Sequence, residues 1–232
     1  MTEPPPQCRK KKQALRDIEA KGITLEKAFE LGAEEAIIER QLGFLPTNVH
    51  SVAARSESGE PTVLKLYPLA VSLKGARAGN TDRQPFPTMY WLSCPALKAA
   101  VSQLENQGLV TDWERRLQAD PELVAEMKAA HLSYAEERWA MLTAADLDVI
   151  RRRRGWELSL DLTVGVAGIS KPGTIKCLHT HFAHFLATGQ NVVGRWVRDA
   201  LNDGLHIQQS VRGDHGSNVV PKDVLPDQGG DR

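Results

Sequence analysis

Apolar positions recur at helical spacing toward both ends of this chain and alternate through its middle, so the pattern divides it into elements. Leu15 and Ile18 open a helical stretch that Gly22 interrupts. Thr24 is placed to cap a second helix carrying Leu25, Phe29, Ile37 and Ile38, which "LGFLP" closes with Gly43 and Pro46. Residues 48–93 read as β-rich: "VHSVAA", a turn at "SGEP", then "TVLKLYPL" and the aromatic run "PTMYWLSC". Between them, 71–84 is polar and contains glycine, which predicts a loop.

From Pro95 onward helices return. Proline suits a first helical position, and Leu97, Val101 and Leu104 share a face before Gly108 stops the run. Thr111 or Asp112 is expected to cap a short helix with Trp113 and Leu117. "ADPEL" is a strong start signal, with Asp120 as cap, for a helix from 121 to about 142. Thr143 with Asp146 has capping-box spacing. "GWELSLDLTVG" sets Trp156, Leu158, Leu160 and Leu162 against polar neighbours, which predicts a half-buried strand. "SKPG" turns the chain into the segment 175–186, and "VVGRWVRDALNDG" predicts a last short helix.

The expected fold class is α+β: a small antiparallel sheet from 48–93, joined by 156–163, packed against several helices. The expected organisation is a disordered lead (1–12), a helical N-terminal extension (13–43), a single core domain (44–203) and a disordered tail (204–232).

Charge changes this picture little. Lysine and arginine total 29 against 29 acidic residues, which removes the global basic balance of a typical nucleic-acid binder. "CRKKK" (8–12) and "RRRR" (151–154) are local basic runs; phosphate or nucleic-acid contact is their minority reading and a solvated face the main one. Cys8, Cys94 and Cys177 are too few and too odd for a disulfide framework, so a reducing, cytoplasmic setting is expected. No secretory leader pattern is visible, and no apolar run approaches the roughly 20 residues that span a bilayer.

The candidate chemistry lies in "IKCLHTHFAHFL", with Cys177, His179, His181 and His184. On a helix of about 100° per residue, Cys177, His181 and His184 fall on one narrow stripe. If the helix instead begins after His179, Cys177 and His179 converge from an extended approach. Either arrangement offers two or three thiol and imidazole ligands, the donors zinc takes in fours. Cys94, at a strand end and a helix start, is a remote candidate, and its position favours a thiolate. His131 is a further one; His131, Tyr134 and Arg138 share a helix face. Three readings stand side by side: a buried cysteine with half-exposed histidines, a metal site, and a nucleophilic thiol with a histidine base. An enzyme would also need an anion holder, for which Arg138 or Arg195 is the candidate.

"PFPTMYWLSCPAL", "LENQGLV", "RLQADPEL", "AAHLSY" and "KCLHTHFAHFLATGQNVVG" resemble the domain-of-unknown-function family numbered 501, best known from bacteria. The resemblance covers about residues 40 to 200, apart from 71–84 and 143–165. It implies a small cytoplasmic α/β-type protein with no established activity. Its motif cysteines and histidines map to Cys94, Cys177, His179 and His184, and His181 falls where the pattern varies. Relatives often carry a cysteine before the glycine–proline turn, where "ARSESGEP" has Ser56 and Ser58. The expectation drawn from residues and resemblance together is a structural or interaction module in which those four residues hold zinc. A metal-assisted hydrolase or thiol-dependent enzyme is the first alternative, and a nucleic-acid-associated protein using the 9–12 and 151–154 basic runs is the second.

Overall fold

The structure, a computed structural model, describes residues 25–71, 83–153 and 155–212. The expected helix beginning at Leu15, the Thr24 cap, the 8–12 basic run and most of the 71–84 loop lie outside them. The chain divides into two compact units, residues 1–45 and 46–232. In the first, α1 (Leu25–Leu42) ends where the sequence places its stop. Gly43 takes a left-handed φ of 80° and donates its N–H to Glu39 O.

The second unit is α+β. β1 (Val49–Arg55), β2 (Pro61–Leu66) and β5 (Tyr90–Leu92) form an antiparallel sheet in the order β1-β2-β5. Val52 faces Leu64 across the first pair, and Val63 faces Leu92 across the second. Central strand β2 is buried at every position except Lys65. That lysine ends in an ion pair with Glu137. A separate two-stranded pair, β3 (Leu69–Val71) with β4 (Arg83–Pro85), brackets the expected loop.

The helices follow the capping signals. α2 (Pro95–Asn106) opens on proline and buries Leu97, Val101 and Leu104. α3 (Leu109–Gln118) begins earlier than expected. Gly108, at a left-handed φ of 83°, precedes it, and Asp112 pairs with Arg115 instead of capping. At the start of α4 (Pro121–Ala140), the Asp120 carboxylate accepts from the N–H groups of Glu122 and Leu123. Thr143 and Asp146 form a complete capping box for α5 (Ala144–Arg152). Arg151 and Arg152 end that helix exposed, and Arg153 stacks over the Trp156 ring at 4.8 Å.

In place of the strand expected at 156–163, residues 156–160 form a short helix and 161–163 a turn. α6 (Trp156–Leu160) follows Gly155 at φ 85°. Trp156 and Leu160, one helical turn apart, join Leu69, Leu142 and Ile150 in a small second core, while Leu158 is 70% exposed. The fully buried Arg138 decides the matter: its guanidinium donates to the carbonyls of Leu160, Asp161 and Val164, and of Pro87. Those bonds hold the 160–164 backbone turned in toward α4 instead of extended along a sheet edge.

After a 3₁₀ turn (Val166–Gly168), α7 (Leu178–Thr188) packs against β5, α2 and α8 (Val192–Arg212). α8 is longer than the short helix expected and runs past residue 203. The α7–α8 corner requires glycine at 194, because a Cβ there would lie 2.5 Å from the His181 carbonyl oxygen. The main core gathers Leu92, Leu97, Val101, Tyr134, Phe182, Val193 and Trp196 around this layer of helices. Among the described residues, no helix is long and apolar enough to cross a membrane.

Candidate metal centre

α7 begins at Leu178, so Cys177 stands just outside it with extended backbone (φ −156°, ψ 121°). This splits the helical stripe drawn from sequence. Cys177 and His179 turn toward α2; His181 and His184 turn into the core and are fully buried, not half-exposed.

The Cys177 sulfur lies 3.7 Å from His179 Nδ1, which lies 3.2 Å from Glu105 Oε1. Sulfur, imidazole nitrogen and carboxylate oxygen all fall within 4.8 Å of one another. Glu105 comes from the last turn of α2, and its Oε1 also accepts the Leu178 N–H at 2.7 Å, at the positive end of α7. His179 Nε2 is 3.1 Å from the Lys98 carbonyl and 3.2 Å from the Ser102 hydroxyl. An Nε2–H donated to Lys98 O points Nδ1 at the thiol and carboxylate, so that loss of the Nδ1 proton would present its lone pair there, the usual way a ligating histidine is oriented.

The electrostatics are those of a coupled pair. The Cys177 hydrogen bond raises His179 to about 9, against the opposing effect of burial, with Glu105 adding to the rise. Burial pushes the Cys177 thiol up, but contacts from His179 and from the backbone and side chain of Thr180 outweigh it and hold the thiol below its ordinary value.

The other expected ligands lie elsewhere. Cys94 precedes the first turn of α2, whereas Glu105 is in its last; at about 1.5 Å per residue they are about 16 Å apart along the axis, too far to share an ion. No cluster of three or more metal-type ligands among the described residues includes Cys94, His131, His181 or His184. His184 stacks on Tyr90 with ring centres 5.7 Å apart and meets Tyr134 edge-on. His181 and His184 both direct Nδ1 at the Asn191 amide nitrogen, at 3.0 and 3.3 Å. His131 Nδ1 accepts the Val166 N–H at 3.0 Å.

Neither expected anion holder is open. Arg195 is held by both Glu126 oxygens at 3.0 Å, and Arg138 by the carbonyls named above. Glu105 and Asn191 were not singled out from sequence. Glu105 follows the buried Leu104 at the rim of an amphipathic face, and that position was its one available signal. Asn191 follows the left-handed Gly189 at the start of a new helix, where an asparagine is a natural cap.

The fold and this cluster define an α+β protein with a cysteine, a histidine and a glutamate drawn together between two helices. The chain belongs to the DUF501 family of proteins of unknown function, whose pattern it matches over residues 52–199. No curated protein and no solved structure matches it.

Proposed function

We propose that the protein is a zinc-binding module in which Glu105, Cys177 and His179 hold the ion and tie the end of α2 to the start of α7. The observation that carries this is the ligand spacing. Tetrahedral ligands at zinc distances stand about 3.3–3.6 Å apart. The imidazole–carboxylate and sulfur–imidazole separations here are 3.2 and 3.7 Å, and the sulfur and carboxylate oxygen lie within 4.8 Å of each other. Thiolate with imidazole selects zinc over magnesium or calcium, and the carboxylate completes a three-donor set. Three protein ligands leave a fourth position for water or for a donor from a partner. The described cysteines are free thiols, which suits a cytoplasmic setting.

Elemental analysis of protein purified without chelator tests this. About one zinc per chain is expected, lost in Cys177→Ser and kept in Cys94→Ser. Cobalt substitution should give thiolate-to-metal absorption. Protein that takes up neither ion, or a Cys177→Ser variant with full zinc content, would overturn the reading.

The second reading is a nucleophilic thiol, favoured by the same sulfur standing beside an imidazole at a helix N-terminus. Alkylation separates the two: rapid modification of Cys177 that added zinc does not slow favours the thiol.

A further inference from the structure

A second group of polar side chains lies inside the protein, apart from the zinc ligands. His131 on α4 is 7% exposed and His181 on α7 is wholly buried. Hydrogen bonding sets the tautomer of each ring. His131 Nδ1 accepts the Val166 N–H at 3.0 Å, so its proton is on Nε2. His181 Nδ1 faces the Asn191 amide nitrogen at 3.0 Å. The orientation of that amide is fixed at its other end, where Oδ1 accepts the Gly194 N–H at 3.0 Å. The NH₂ end therefore donates to His181, whose proton is likewise on Nε2.

Both Nε2 atoms are buried, and neither has a hydrogen-bond partner among the described residues. The rings meet nearly edge-on with centres 6.2 Å apart, which sets the two buried donors beside one another in the core. The Nδ1 side of His131 is pinned, since a Cβ at residue 165 would lie 2.4 Å from His131 Nδ1, and the Nδ1 side of His181 is held by Asn191. Two fixed N–H donors without an acceptor repel a cation and call for lone pairs.

We propose that His131 and His181 form an internal binding site for a small molecule presenting lone-pair oxygen to two imidazole N–H groups. Water and a small carboxylate are the two sources of that chemistry. The site is independent of the zinc reading, since neither ring belongs to that cluster.

Histidine ring spectra of the ¹⁵N-labelled full chain near neutral pH test it, with His131 assigned through its contact to the Val166 amide. Both rings should show the Nε2–H tautomer, with ring protons slow to exchange. If water is the occupant, those protons show cross-relaxation with water that millimolar formate leaves unchanged. If a carboxylate is preferred, formate shifts both Nε2 signals and removes the water cross-peak. His131→Asn, which keeps an acceptor for Val166 but deletes the Nε2 donor, should abolish the response at His181. An Nδ1–H tautomer at either ring overturns the proposal. So do protected Nε2 protons that respond to neither water nor formate.

Discussion

Arg138 shows how one residue organises its surroundings. Among the described residues it is the largest fully buried side chain, and it meets backbone carbonyls in place of a carboxylate. Four carbonyls converge on one cation, which anchors the 160–164 loop to α4 and to the segment before β5; those of Pro87 and Asp161 also accept from the Tyr134 hydroxyl and the Val164 N–H. Replacing it with methionine keeps the volume but removes the donor to the Leu160 and Val164 oxygens. Arg138→Met should cost about 3 kcal/mol or more, read as a lower urea midpoint. Sequence placed Arg138 on the right helix face but could not tell a lattice of carbonyls from a solvated surface or an anion holder. The acceptors belong to residues far along the chain.

At the scale of elements, local signals carried furthest where a side chain caps its own backbone. Asp120, the Thr143–Asp146 pair and Pro95 mark helix starts through contacts within a few residues, and each start is where the pattern puts it. The alternation at 156–163 misled because period two and a one-turn helix share the pair 156 and 160. The two readings give opposite expectations for the intervening leucine. In α6 Leu158 is exposed and Leu160 fully buried. Leu160→Ala should therefore destabilise by about 2–5 kcal/mol. Leu158→Ala should fall within about 0.5 kcal/mol of the parent in the same denaturation assay.

Across the whole molecule, buried histidines couple stability to pH. Burial lowers His131 to about 4, and it lowers His184 to about 4 against partial relief from Glu137. Unfolded, each would titrate near 6.5. Between about pH 6.5 and pH 4 the unfolded chain binds protons that the folded chain refuses, so stability rises with pH through that window. The contribution is complete above about pH 6.5 and shrinks progressively toward pH 4. Urea midpoints at pH 7 and pH 5 check this, the latter being lower. On the proposed zinc reading, the ion should act on the same equilibrium by mass action. Free ion at 100 times its Kd should add about 2.7 kcal/mol, a gain that chelator reverses and that Glu105→Gln diminishes.

By itself the sequence determined the α+β class, most helix starts, the two hairpin strands and the family, because each rests on periodicity, capping or a contiguous motif. It also singled out the segment holding Cys177 and His179, which the fold sets beside Glu105. Only the tertiary structure decided which residues join them. Glu105 reaches that pair from a separate helix, while Cys94 and His184, equally plausible on paper, end up at a far helix start and inside the core. Residue spacing fixes which side chains share a face of one element. Which faces meet depends on how helices pack, and that is set by contacts spread over the whole folded unit.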